Sequence, residues 1–484
     1  MLMFVAWILI VIFRIILCSN MKRLIGIFCL LVMGWTGAEA ERLSLDDAIR
    51  MAQAHSPEAQ AAQHTYRAAY WSYRSFRANY LPEVSLTSTP YLNRQINRVT
   101  QPDGTEQFLR QNQLSTDVSL SVSQNIWFTG GNLFLQTSAQ RMDEFSDHTE
   151  AYNTQPVTIG YQQSLFGYNS LKWDRRIEPV RFREARKSYA ETLELIASRA
   201  CELFFDLATA QANLDIARAN YASADTLYRY ARGRYNIGNI TENEMLQLEV
   251  NKLTEETNMM QASIEVEDAM LTFRSFLGIR EDEPIEVFPA DSVTAFEVPL
   301  DQALEKAFAH SPDIEMYQRL KLESRSRLAS ARANRGLKAD LYVQFGLSQT
   351  ADNLRASYRN PLDQQYVSLS VVIPILDWGK RRGQVKIAQS NRDVTESKLR
   401  QETMNFNQNL FILVEQFNNQ QAQLQIADDA DKIAQKRYST NVETFMVGKI
   451  STLDLNDSQT KKDEARQKHI NELFYYWYYY YQLR

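Results

Sequence analysis

Residues 189–238 read YAETLELIASRACELFFDLATAQANLDIARANYASADTLYRYARGRYNIG. Apolar side chains fall at Tyr189, Leu193, Ile196, Ala200, Leu203, Leu207, Ala210, Leu214, Ala217, Tyr221, Ala224, Tyr228, Ala231 and Tyr235. The steps alternate four and three without a slip, which is a 3.5-residue seam of the kind that packs helices along their whole length. From Ala210 onward small residues alternate with large ones, as interdigitation at close helix spacing requires. The helical pattern starts near Ser170, so the rod is roughly 100 Å long at 1.5 Å per residue. A compact domain needs no such rod. Its length points to a task of spanning a distance.

Two apolar segments precede this part of the chain. Met21-Lys-Arg23, the apolar run Leu24–Trp35 and Ala38-Glu-Ala40 form a signal peptide with its cleavage site. Met1–Leu17, broken by Arg14, is short for a membrane span. It reads as an extension upstream of a start at Met21. Residues 1–40 are thus expected to be leader and the exported chain to begin at Glu41. The leader holds three of 53 basic and one of 58 acidic residues, which leaves a net charge of −7. That balance argues against nucleic acid as a partner. Only Cys201 remains after the leader, and the five histidines show no ligand spacing. A disulfide framework, a metal and a cofactor are therefore not expected.

The chain repeats itself. Leu43–Pro57 matches Val298–Pro312 at an offset of 255, whereas Val157-Thr-Ile-Gly-Tyr matches Val367-Ser-Leu-Ser-Val at 210, as do Gly238-Asn-Ile-Thr and Gly448-Lys-Ile-Ser. One unit is used twice, over residues 41–290 and 291–484, and the first copy carries 45 extra residues between about 90 and 156. Each copy has a short helix (44–54, 299–309) and a helix opened by Ser-Pro at Ser56 and Ser311. Strands follow, then a long helix, a glycine turn and a returning helix. In the strands Leu341, Val343, Phe345 and Leu347 alternate with Tyr342, Gln344, Gly346 and Ser348, and Val84, Val118, Val157 and Val367 open similar runs. There are too few strands for a soluble sandwich, with two in the second copy and up to four in the first. An apolar face and a face of Ser, Thr, Gly and Gln suit a transmembrane barrel, lipid outside and lumen inside, with strands pooled from several chains. The fold class is mainly α with a small β part.

In this order of elements, in Leu45-x-x-Ala and Leu300-x-x-Ala, and in the turns at Gly238 and Gly448, the chain resembles the TolC-like outer-membrane efflux proteins. The resemblance implies a homotrimer with an α-helical barrel tunnel through the periplasm and a shared outer-membrane β-barrel of four strands per chain. The 45 extra residues depart from it and supply either two more strands or an extracellular extension. It implies that Gly238 and Gly448 form the periplasmic tip where a periplasmic adaptor protein of an inner-membrane pump docks. It also implies an aspartate constriction six and nine residues beyond the second glycine, at Asp454 and Asp457, with Glu244 in the matching place of the first copy. Asp454 and Asp457 share a helix face. Carboxylates crowded on one axis raise the pKa of some members and favour cations. Thr241-x-x-Glu244 and Ser451-x-x-Asp454 are also capping boxes, whereas Asp457 has no such second role. The family's Tyr before the second glycine and Arg after it are Phe445 and Ile450 here, so the closed state is held differently. The aromatic run Phe474–Tyr481 reads as packing against the short helices of the equatorial zone, with membrane contact as the other option. No nucleophile motif, phosphate loop or HExxH is present. The expected function is a non-enzymatic exit duct for efflux or type I secretion. The alternative is a non-conducting periplasmic scaffold or adhesin stalk.

Overall fold

A computed structural model of the chain describes residues 41–238, 240–279, 285–288, 296–447 and 449–484. The leader and Gly448 lie outside these residues. The elements run β1 (Glu41–Leu43), α1 (Leu45–His55), α2 (Pro57–Ala78), β2 (Glu83–Thr100), β3 (Glu106–Ile126), β4 (Gly131–Glu144), β5 (Thr149–Ser164), α3 (Ser170–Asn236) and α4 (Glu242–Leu277). Then follow β6 (Ile285–Val287), α5 (Leu300–His310), α6 (Pro312–Ala333), β7 (Lys338–Ala351), β8 (Leu362–Val372), α7 (Lys380–Met446) and α8 (Thr452–Leu483). Three pairs of helices repeat at constant offset. α1 and α5 are offset by 255 at both ends, α2 and α6 likewise, and the two 67-residue helices α3 and α7 by 210.

Two compact units result, one of Ile196–Ala295 and Gln420–Tyr478 with the N-terminal residues through Pro57, the other of Glu58–Leu195, Phe296–Asn419 and Tyr479–Arg484. In the first, the seam of α3 is buried at Ile196, Ala200, Leu203, Leu207, Ala210, Leu214, Ala217, Ala224 and Ala231, with Tyr221 and Tyr228 half-buried between the alanines and Tyr235 exposed. A second face is buried as well, at Ala197, Cys201, Phe204 and Ala208. The single seam does not reveal it, because residues 196–208 are apolar nearly all round, the pattern of a helix covered on more than one side. Burial pushes the Cys201 thiol up, so it is a packing group and not a nucleophile. β1 pairs with β6 in parallel, and the Gln211 side chain holds that strand by accepting from Val287 N (3.3 Å) and donating to Ile285 O (3.2 Å).

Two buried polar side chains of α7 have partners on α8. Gln420 donates to the Glu472 carboxylate (2.6 Å) and carbonyl (3.0 Å), and Arg466 pairs with buried Asp431 (3.1 Å). The C-terminal aromatic run packs inward: Phe474 meets Phe205, and Tyr476 and Tyr481 are buried.

In the second unit α2 stacks on α3 through Tyr73 and Phe182 (ring centroids 4.7 Å) and through Tyr66 and Tyr189 (5.2 Å). Arg319 of α6 is bidentate to Glu184 of α3 (2.5 and 2.9 Å). Burial pushes Glu323 up, but hydrogen bonds from Arg181 and Arg319 outweigh it and hold the carboxyl below its ordinary value. One antiparallel sheet has the order β2-β3-β4-β5-β7-β8. The 45 extra residues are therefore two sheet strands, β3 and β4. Among the described residues no helix is long and apolar enough to cross a membrane.

Ala200 is fully buried. Ala200→Leu is expected to overpack the site and cost about 1–3 kcal/mol, whereas Ala222→Leu on the exposed face changes stability by less than about 0.5 kcal/mol. Thermal loss of the 222 nm circular dichroism signal measures both. Equal melting points would show that the seam is not tightly packed.

Candidate docking and gating site at the glycine turns

Two helical hairpins, α3–α4 and α7–α8, meet in the first unit through one apolar cluster. Leu227 and Ala231 of α3, Leu248 of α4 and Leu455 of α8 are buried together, with Ile240, Tyr438, Val442 and Phe445 packed against them. The cluster recruits one face from each helix close to its turn, so both turns are held at the same end of the unit. Phe445, which stands where the resemblance implies Tyr, contributes apolar packing to this cluster.

At the first turn Gly238 adopts φ +74°, and its N–H donates to Tyr235 O (2.9 Å). The left-handed conformation accounts for the glycine, because a Cβ there would meet nothing within 4 Å. At the second turn Lys449 N donates to Thr444 O (3.1 Å) and closes the last turn of α7. Ile237, Val447 and Leu453 stand out from the two turns, each about 70 % exposed (70, 68 and 75 %). These three apolar side chains have little cover from the chain itself.

The carboxylates separate by role. Thr241 and Glu244 form a reciprocal capping box: Glu244 accepts from Thr241 N (2.9 Å) and Thr241 Oγ1 accepts from Glu244 N (3.3 Å). The Thr241 backbone N–H, and next its hydroxyl, hold the Glu244 carboxyl below its ordinary value. Ser451 and Asp454 repeat the arrangement, with Ser451 Oγ donating to Asp454 (2.7 Å) and accepting from Asp454 N (3.2 Å). The Ser451 hydroxyl is the first cause of a lowered Asp454 pKa, followed by its N–H and, last, by the Arg437 charge. Asp457 lies one turn on, half-exposed, and pairs with Arg437 of α7 (2.7 Å). Arg437 was not marked by sequence reasoning. Its signal was weak, a basic residue off the seam and next to Tyr438.

Further polar contacts tie one hairpin to the other. Tyr230 Oη donates to the Met446 carbonyl (3.2 Å), Asn220 to Asp463 (2.7 Å) and Gln459 to Glu255 (3.1 Å). Within the α7–α8 hairpin Lys462 Nζ lies 4.5 Å from the Tyr438 ring centroid, a cation–π contact.

Paired hairpins of unequal arms, glycine turns at their ends and an antiparallel sheet with one apolar face define the class of part-helical outer-membrane channels. The chain belongs to the family whose model is described as outer membrane efflux protein, matched over residues 48–279 and 303–473. Its fold is similar to that of the CmeC outer membrane channel of Campylobacter jejuni (TM-score 0.66, 14 % identity, 93 % of this chain and 89 % of that one). It is also similar to VceC of Vibrio cholerae (0.64, 12 %, 91 % and 94 %) and to the open state of the MtrE channel of Neisseria gonorrhoeae (0.58, 12 %, 91 % and 87 %). No curated protein matches the chain by sequence at a significant level.

Two outcomes are expected at the turns. The capping boxes are complete above the ordinary carboxylate pKa of roughly 4 and fade as pH falls through the lowered values of Glu244 and Asp454. Amide exchange in the first turns of α4 and α8, corrected for its intrinsic pH dependence, is then flat from pH 5 to 8 and faster near pH 3. Protection that persists at pH 3 would show that the caps do not depend on the carboxylates. Gly238→Ala should cost about 1–2 kcal/mol through its backbone angle alone, and Gly238→Asn should recover most of that, because Asn tolerates this region. Equal loss in both variants would point to crowding at the turn.

Proposed function

We propose that the chain is the passive exit duct of a tripartite efflux or type I secretion assembly, working as a homotrimer in the outer membrane and reaching into the periplasm. The sheet carries this reading. Val84, Leu86, Leu135, Ile159, Phe345 and Val367 stand exposed on its one face, while Ser85, Ser121, Gln136, Thr158 and Gln364 occupy the other. Lipid outside and a wet lumen inside account for both faces. A stalk in water has no use for the apolar one. The long helices continue the path as a tunnel.

In this reading the turns of Gly238 and Gly448, with the exposed side chains of Ile237, Val447 and Leu453, receive a periplasmic adaptor protein, and an inner-membrane pump selects the cargo. The constriction is formed by three copies of Asp457, with Asp454 and Glu244 alongside. Since the latter two serve as caps within each chain, Asp457 is the member free to act on the lumen once its bond to Arg437 breaks. The closed state is held by the apolar cluster around Phe445 and by the Tyr230–Met446 bond. Adaptor contact shifts the hairpins and opens the tip as an iris opens.

Single-channel recording of the trimer in planar bilayers tests this. A small, cation-preferring conductance is expected, and Asp454→Ala/Asp457→Ala should enlarge it and reduce its selectivity. Tyr230→Phe should raise the open probability without changing selectivity. A pore indifferent to both carboxylate changes would remove the aspartates from the gate. No conductance from folded trimers would overturn the duct.

A further inference from the structure

The first copy exceeds the second by the hairpin β3–β4, and the structure places this hairpin inside the sheet. β2 and β5 correspond by offset to β7 and β8, and β3 and β4 lie between them. β3 returns all the way to the helix ends, where Gln124 donates to Tyr80 O (2.9 Å) and Asn125 to Asn79 O (3.2 Å). The turn that follows is locked to α3. Asn169 donates to Trp127 O (3.0 Å) and accepts from Lys172 N (2.9 Å), and Arg175 stacks 3.9 Å from the Trp127 ring. A Cβ on Gly130 (φ +80°) would come within 2.9 Å of Asn169. The added hairpin therefore runs the full height of the wall, and Glu106–Asn112 of β3, paired with Arg94–Thr100 of β2, continue past the end of β4 at Glu144.

Its side chains also continue both faces without a break. One register row reads Val84, Val122, Leu135, Ile159, Phe345 across β2, β3, β4, β5 and β7. The row behind it reads Ser85, Ser121, Gln136, Thr158, Gly346, Gln364 across all six strands. β4 and β5 are fitted to each other on the polar face: Phe134 covers Gly160, and a Cβ on that glycine would sit 2.2 Å from the ring. The free edges of the sheet are β2 and β8. In lipid each unpaired backbone group costs several kcal/mol, so these edges need partners. Six strands are fewer than the eight of the smallest membrane barrels, so one chain does not close on itself.

Building on the duct reading, we propose that the β8 edge of one copy pairs with the β2 edge of the next, and that three copies form one barrel of eighteen strands with every β3–β4 hairpin in its wall. The occupant of each edge is a second copy of this chain, because the two edges share the same alternation, apolar outward at Val84, Leu86, Val367 and Leu369 and polar inward at Ser85, Thr87, Ser368 and Ser370. Barrel diameter grows roughly linearly with strand number, so the outer opening is about 1.5 times as wide as with four strands per chain. Near the helix end the added strands line it with the uncharged polar groups Ser119, Ser121, Ser123, Gln136 and Ser138, and farther along the same face carries Asp117 and Glu144. That wide polar surface suits bulky hydrated cargo.

Cysteine cross-linking in outer membranes containing the full chain decides the strand count. Ser370→Cys is combined in turn with Ser85→Cys, Thr87→Cys and Thr89→Cys on β2, which scans the unknown register, and separately with Gln136→Cys and Ser138→Cys on β4. After mild oxidation, covalent trimers from a β2 combination are expected. Covalent trimers from a β4 combination would mean that β2 and β3 lie outside the wall, and would overturn the proposal while keeping the duct. A second measurement deletes residues 101–145, which joins β2 to β5 as a direct hairpin. The largest polyethylene glycol that enters the lumen from the extracellular side should then become smaller. An unchanged cut-off overturns the proposal even if no cysteine pair links. Absence of trimers in the unaltered protein would instead overturn the duct reading itself.

Discussion

Close approach of helix to helix is the constraint on which the rest depends. Alanine at positions 210, 217, 224 and 231 leaves room for neighbouring side chains to interleave. A seam this uniform would allow the hairpins to slide, since one heptad looks much like the next. Buried polar groups remove that freedom. Gln420 on Glu472 and Asp431 on Arg466 each have one satisfactory partner across α7 and α8, and a slip of one turn would strand them. Such pairs add little net stability but specify register well. With register set, the end of each hairpin is set, and with it the height at which Asp457 meets Arg437.

Much of this was legible in the sequence because it is local or periodic. The seam, the Ser-Pro helix start at Ser311, the capping boxes and the duplication rest on spacing, and each stands where the spacing put it. Ser311 Oγ accepts from Asp313 N at 3.1 Å. The strands were legible as alternation, yet alternation tells which face a residue takes and not which strand lies beside it. For that reason the 45 extra residues had two readings until the pairing of β3 with β2 and of β4 with β5 was seen. Least visible were contacts between distant residues with no pattern of their own. The β1–β6 pairing, the Gln211 clamp and the Arg437–Asp457 bridge belong to this group.

The site shows how one residue type serves two ends. A carboxylate three positions after a Ser or Thr cap is drawn into the helix start, and its negative charge is partly used there. The one a turn later is not. Glu244 and Asp454 thus fix where α4 and α8 begin, and Asp457 inherits its position from them. The loss of the Tyr and Arg that the resemblance implied is matched by apolar packing around Phe445, which is less directional than a hydrogen bond and less sensitive to salt.

The two long helices are the same length, 67 residues each. Each residue advances a helix by about 1.5 Å and turns it by about 100°. Shortening one by a single residue would therefore swing its far end through more than a quarter circle, and shortening it by seven would bring the seam back to within about 20°. In the duct reading, the seam survives a change in the length of these two helices only in steps of seven residues, about 10 Å. The added hairpin entered one copy through the sheet, where no heptad had to be kept, while the two long helices stayed equal.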